Sequence, residues 1–310
     1  MSQATGSGKY ERLLDRCKEL APIPTAVAYP CEVTALAGAV DAAKLGLITP
    51  ILVGPAAAIA ALAESAQIDL SGLEIVDTPD SNASAAKAVE LVREGRAEVL
   101  MKGSLHTDEL MSAIVSRERG LRTARRISHA FVMDVPTYHK VLIVTDGAIN
   151  IAPTLEDKVH ICQNAIDLAV SLGRAKPKVA ILAAVESVNS KMPATLDAAA
   201  LCKMAERGQI TGALLDGPLA FDNAISLEAA KTKGIKSEVA GDPDILLAPD
   251  LEAGNILAKQ LSFLANADSA GMVLGARVPV ILTSRADSVR SRIASCAVAS
   301  LVAHARRSKP

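Results

Sequence analysis

The strongest constraint on the fold is a rhythm of short apolar runs, each bounded by glycine, proline or aspartate and followed by a helix-length stretch. The runs include ILVG (51–54), EVLMKG (98–103), HAFVMD (129–134), VLIVTD (141–146), KVAILAAVE (178–186), ALLDGP (213–218), DILLAPD (244–250), MVLGA (272–276) and PVILTS (279–284). Continuous rather than alternating hydrophobicity marks strands covered on both faces, as in a largely parallel sheet flanked by helices. The expected class is therefore α/β. Half of the residues are hydrophobic, yet three Phe, three Tyr and no Trp are present, so Ala, Val, Ile and Leu must build the core. At 310 residues there is room for one large or two moderate domains. The proline and polar residues of VPTYHK suggest a boundary near 136–140.

The clearest helix is 154–173. Leu155, Val159, Cys162, Ile166, Ala169 and Leu172 recur at spacings of three or four, Thr154 and Asp157 resemble a capping box, and Gly173 stands at the end. Cys162 lies on the apolar stripe and reads as core. The five cysteines contain no CxxC pair, and the five histidines show no metal-ligand spacing, so neither a disulfide framework nor a metal is expected. With 33 basic and 34 acidic residues, the chain has no global field for a polyanion, so no nucleic-acid partner is expected. No apolar run approaches the roughly 20 residues of a membrane span, and the N-terminus lacks a signal core. A soluble, cytoplasmic protein is expected.

In open α/β sheets, ligands gather beyond the carboxyl ends of strands. The loops there are polar and Gly-rich: MKGSLHTDE, TDGAIN, VESVN, DGPLAFDN, PDLEAGN and TSRADS. Lys102, Gly103, Ser104, His106 and Thr107 join a strand to a helix that begins near Thr107, where glycine would let a ligand approach and free N–H groups would favour an anion. Thr107 could equally be an N-cap. The run SRERGLRTARR offers guanidinium groups for phosphate, with Arg122 preferred, against the alternative of a solvated basic face. Ser284, Arg285 and Asp287 place a hydroxyl, a fixed cation and a carboxylate within four residues after a buried strand. Such a trio can orient a thiol, meet oxyanion charge and accept a proton, although ordinary helix caps share the pattern. GSGK at 6–9 follows no strand, and GxGxxG and GxSxG are absent, which argues against a P-loop, a Rossmann dehydrogenase and an α/β-hydrolase.

Taken together and in order, the blocks MKGSLHTDEL, GLRTARRISHAFVMDVP, IVTDGAINIAP, KVAILAAVESVNSKMPATLDAAAL, ERGQITGALLDGPLAFDNAIS, PDLEAGNILAKQL and VPVILTSRADS resemble the phosphate acetyltransferase and phosphate butyryltransferase family, in particular its butyryltransferase branch. The chain is also similar to the transacylase portion of proteins in which that unit follows a hotdog-type enoyl-CoA hydratase domain. The initial methionine favours a stand-alone unit. The resemblance implies reversible conversion of acyl-CoA and phosphate to acyl phosphate and CoA, with short acyl chains, no bound cofactor, and coenzyme A and phosphate as substrates. It also implies a fold like isocitrate and isopropylmalate dehydrogenases, with two α/β domains flanking a cleft, and a homodimer or higher homo-oligomer. On that pattern, residues 1–138 with 285–310 form one domain and 139–284 the other.

Carried over residue by residue, the resemblance points to Asp216, Gly217, Phe221 and Asp222, to Asp250, Gly254 and Asn255, and to Ser284 and Arg285. It gives the residue like Ser284 a hydrogen bond to the CoA sulfur and the residue like Arg285 contact with phosphate and the transition state. Where the acetyl branch has an aspartate as thiol base, seven residues after the serine, this chain has Ser291. Asp287 is the nearest carboxylate and takes the assignment. A base elsewhere, or a thiol ionised by Arg285, are the alternatives. Two other readings are a non-catalytic protein that binds CoA or acyl phosphate and a dehydrogenase on the same fold.

Overall fold

The computed structural model describes residues 8–284 and 287–308, so Arg285 lies outside the described residues. The chain divides into two compact units, Gly8–Arg125 with Ser269–Pro310, and Arg126–Asp268. The first begins with α1 (Lys9–Asp15), β1 (Ile23–Ala28), α2 (Val33–Lys44), β2 (Ile48–Gly54), α3 (Ala56–Ala66), β3 (Glu74–Asp77), α4 (Ser81–Arg93), β4 (Val99–Lys102) and α5 (Thr107–Val115). The strands pair in parallel in the order β3-β2-β1-β4. Every residue of β4 is buried, as a strand covered on both faces requires, whereas β3 at the edge has no buried residue.

The second unit opens with β5 (Ser128–Asp134), which the VPTYHK turn connects to the antiparallel β6 (Leu142–Thr145). There follow α6 (Leu155–Ser171), β7 (Lys178–Leu182), α7 (Pro193–Glu206), β8 (Leu214–Leu219), α8 (Phe221–Ile225), α9 (Leu227–Thr232), β9 (Ile245–Leu247) and α10 (Leu251–Leu264). Strand order is β5-β6-β9-β7-β8, parallel from β6 onward. Aliphatic residues such as Leu142, Val144, Leu219 and Leu246 fill its core, and the buried Tyr138 donates its hydroxyl to the Pro243 carbonyl at 2.7 Å. Helix α6 has the expected capping box: Asp157 N–H donates to Thr154 Oγ1 and Thr154 N–H to Asp157 Oδ2. Cys162 is wholly buried, and burial pushes its thiol up to about 12. Lys158 is buried too, held to Asp197 of α7 at 2.6 Å.

The chain then returns to the first unit as β10 (Asp268–Leu274), β11 (Val280–Ile281) and α11 (Val289–Arg307). β11 is parallel to β4 and antiparallel to β10, and α11 packs on α2. The two units thus divide earlier than residues 138 and 284. Pairing of β5 with β6 holds 128–134 in the second unit, and pairing of β11 with β4 and β10 draws the segment from Ser269 into the first. Among the described residues, no helix is long and apolar enough to cross a membrane.

At the amino ends of β6, β9 and β7, Asp242 pairs with Lys140 at 3.0 Å and Lys178 at 2.7 Å. Burial opposes ionisation of Asp242, but hydrogen bonds and charge from Lys178 and Lys140 outweigh it and hold the carboxyl down at about 2. A depressed folded pKa stabilises above the unfolded value, and that stability is lost as pH falls through the folded one. Asp242→Asn is therefore expected to lower Tm at pH 7, with the gap from the parent chain closing as pH falls from about 4 toward 2. Equal melting temperatures at pH 7 would remove this pair from the account of stability.

Candidate active site

β4 runs between β1 and β11, parallel to both. Its Lys102 is partnered with Ala28, and its Met101 with Ile281. The carboxyl ends of three parallel strands are therefore adjacent, and the segments that follow them begin at Tyr29, at Gly103 and at Leu282. Lys102, Gly103, Ser104, His106 and Thr107 follow or end β4, and Ser284 and Asp287 follow the neighbouring β11. Lys102 is a buried cation, 3% exposed, with its ammonium donating to the Gly103 carbonyl at 3.3 Å.

The loop is held differently from the sequence expectation. Gly103 N–H donates to the Ala28 carbonyl, and Ser104 N–H and Oγ both donate to the Tyr29 carbonyl at 2.8 and 3.0 Å. A Cβ on Gly103 would lie 2.3 Å from the Tyr29 oxygen. Glycine is needed here by the neighbouring backbone. His106, rather than Thr107, occupies the N-cap position of α5, and its N–H donates to Glu109 Oε2 at 2.7 Å. The hydroxyl of Ser81 and the N–H of His106 hold the Glu109 carboxyl below its usual range. With the N–H groups of 103, 104 and 106 committed, and Asp108 and Glu109 in the first turn, the start of α5 is a poorer anion cradle than its sequence suggests.

On the adjoining loop, Ser284 N–H donates to Asp287 Oδ2 at 2.7 Å, and Asp287 N–H returns to the Ser284 carbonyl at 3.1 Å. One Asp287 oxygen is thus spent on the turn, which weakens its claim as thiol base. Ser288 caps α11 by accepting from Ser291 N–H. The sequence reading missed Arg292, which is wholly buried beneath this turn, with Nη1 donating to Thr283 Oγ1 at 2.7 Å and Nη2 to the Ser284 carbonyl at 3.2 Å. Its signal was available: Arg292, Cys296, Ala299 and Ala303 fall on one helical stripe, and all are buried.

Of the other predicted residues, Arg122 belongs to the first unit and four belong to the second. The backbone of Arg122, an exposed residue, bridges to Ala276 in the turn before β11, at the end of that strand away from Ser284. Asp216, Gly217, Asp222 and Asn255 belong to the second unit. Asp216 and Gly217 sit within the edge strand β8, where Asp216 Oδ1 accepts the Gly217 N–H. Asp222 is paired with Lys233, which also meets Glu186, and these bonds hold both carboxyls below their usual range. Asn255 Nδ2 donates to the Gly147 carbonyl at 2.8 Å and ties PDLEAGN to TDGAIN. In TDGAIN the buried Asp146 accepts from the N–H groups of Ala148, Ile149 and Asn150 and from Asn150 Nδ2, and Asn150 Oδ1 receives Arg126 Nε at 2.6 Å. Among the described residues, no cluster of three His, Cys, Asp or Glu is placed to hold a metal ion.

A parallel α/β unit that presents a buried lysine, a serine and a carboxylate on adjoining strand ends defines an enzyme scaffold suited to a small anionic reactant. The sequence pattern of phosphate acetyl/butaryl transferase matches residues 81–300. The chain is 63% identical over 299 residues to the phosphate acetyltransferase of Rhizobium meliloti, covering 96% of this chain and 95% of that one. It is 42% identical over 288 residues to the phosphate butyryltransferase of Clostridium acetobutylicum, covering 93% and 95% respectively. Among solved structures, it is similar to a branched-chain phosphotransacylase from Enterococcus faecalis V583, with a TM-score of 0.79 and 32% identity, covering 90% of this chain and 99% of that one. The chain belongs to the phosphate acetyl/butaryl transferase family and is an acyltransferase.

Proposed function

We propose that this protein moves a short acyl group reversibly between CoA and inorganic phosphate, with Ser284, Arg285 and Lys102 at the reacting centre. The observation that supports this assignment is the pairing of β4 with β11, because the first ends in a buried lysine and the second leads into Ser284. In the phosphorolytic direction a phosphate oxygen attacks the thioester carbonyl, forming the C–O bond. The C–S bond then breaks with its electron pair leaving on sulfur, and the proton released by the hydrogen phosphate ends on that thiolate to give free CoA. The cations of Lys102 and Arg285 meet the charge of phosphate and of the tetrahedral oxyanion, and Ser284 orients the sulfur. No covalent acyl-enzyme is needed, in keeping with the burial of Cys162 and the raised thiol of Cys202, which burial and then Asp216 push up to about 12.

The deciding experiment is release of free CoA thiol from acetyl-, propionyl- and butyryl-CoA with and without phosphate. Phosphate-dependent release is expected with all three, because one methylene in an apolar pocket discriminates by only about 1–3 kcal/mol. Release without phosphate would identify a thioesterase and overturn the reading. No release despite CoA binding would favour the non-catalytic alternative.

We further propose a cytoplasmic homodimer that uses α10. Ile256, Phe263 and Leu264 recur at helical spacing on α10 and are 65%, 70% and 77% exposed. Ile256 and Leu264 also line an apolar groove of about 680 Å³, with Leu182, Phe221, Leu257 and Leu261. A contiguous apolar stripe of this kind is the usual mark of a partner surface. Ile256→Glu is expected to convert a dimer to monomers in sedimentation without lowering helical content. A parent chain that is monomeric at micromolar concentration would refute the assignment.

A further inference from the structure

Among the described residues, Arg292 is a buried cation without an ion pair. It lies in the first turn of α11, where the helix dipole disfavours positive charge, and it is 0% exposed. Burial lowers its hold on the proton, while Asp287, Glu32 and Cys296 act in the opposite direction. Neither carboxylate forms an ion pair with it among the described residues, and Nε has no hydrogen-bond partner there. Removing a guanidinium from water without a counter-ion is costly, and an apolar side chain at this position would avoid the cost. The surrounding fold nevertheless makes room for it. Gly38 of α2 lies against the arginine stem, and a Cβ there would be 2.8 Å from Cδ and 3.0 Å from Cβ of Arg292.

Among the described residues the guanidinium makes two hydrogen bonds, both to the segment that follows β11, namely to Thr283 Oγ1 and the Ser284 carbonyl. With the Ser284 N–H on Asp287, both backbone groups of that residue are held, one from α11 and one from its own turn. We propose that Arg292 is a positioning residue for acyl transfer, which fixes Ser284 beside Lys102 through its carbonyl and Thr283 and touches no substrate itself. This rests on the acyl-transfer reading above. A site 1 Å out of place can lose about 100-fold in rate, so the position justifies an otherwise unfavourable buried charge.

The test is steady-state kinetics of the full chain with acetyl-CoA and phosphate, alongside thermal unfolding, for the parent chain and for Arg292→Met, Arg292→Lys, Gly38→Ala and Thr283→Val. Arg292→Met is expected to lower kcat by roughly 10- to 100-fold while KM for acetyl-CoA changes by less than about threefold. Arg292→Lys should recover part of that loss, because an ammonium can reach one of the two acceptors. Gly38→Ala, which crowds the stem, and Thr283→Val, which removes one acceptor, should lower kcat in the same direction by smaller factors. These two variants decide the matter if Arg292→Met fails to fold. Parental kcat in folded Arg292→Met, or in both milder variants, overturns the role, as does a loss that only tracks the folded fraction. A parent chain with no phosphate-dependent activity would instead overturn the acyl-transfer reading, and this role with it.

Discussion

Arg285→Ala is expected to lower kcat by about 100- to 1,000-fold while leaving the melting temperature within a few degrees of the parent. On the role proposed for Arg285, the size is that of removing one charge-bearing donor from an oxyanion site, where such donors act only as charge develops. Binding should suffer less than turnover. Lys102, buried on the adjoining strand end, still offers a cation to phosphate, so KM for phosphate should rise by a smaller factor than kcat falls. Arg285→Lys separates charge from shape. A guanidinium meets two oxygens with parallel N–H groups and an ammonium does not, so lysine should restore phosphate binding more than rate. Stopped acyl-phosphate formation and thiol release, measured together, would check both parts. Full activity in Arg285→Ala would remove this residue from the mechanism and move the burden to Lys102 and Ser284.

How much of this was readable beforehand depends on the range of the contacts involved. The strands were legible because a parallel strand covered on both faces has to be apolar at nearly every position, as β4 and β9 are. Helix 154–173 was legible because its cap and stripe are local, although Lys158 turned inward to meet Asp197, a partner 39 residues away. The division near 136–140 misled because a proline-bearing hairpin turn and a linker share the same composition, and only the pairing of β5 with β6 tells them apart. At the site, the strand-end loops could be listed from sequence, but not which of them are neighbours. Strand order places the 102 and 284 loops together despite about 180 intervening residues. Arg292 was passed over because a charged residue on a helix usually faces water, and its burial depends on a missing side chain at Gly38, more than 250 positions earlier.

The same argument from range predicts the second large effect, at Gly103. Read locally, this glycine opens a loop for a ligand, and alanine should then cost binding alone. The structure gives it a different task. An added Cβ would lie 2.3, 2.4 and 2.6 Å from the Tyr29 oxygen, the Ala28 oxygen and the Tyr29 carbonyl carbon, all backbone atoms that cannot rotate aside. Relief requires the ends of β1 and β4 to separate, which breaks the bonds from Gly103 N–H to Ala28 and from Ser104 to Tyr29. Each lost buried hydrogen bond costs about 1–3 kcal/mol where a group is left unpaired, so Gly103→Ala should destabilise the first unit by several kcal/mol. Activity should fall by at least about 100-fold in the protein that remains folded, because Lys102 and Ser104 move with the strand end. Hydrogen exchange distinguishes the two accounts. Loss of protection at Gly103 and Ser104 together, with the second unit's β7 and β9 unchanged, is the signature of the strand ends parting. Intact protection with a raised KM for phosphate would return Gly103 to the ligand.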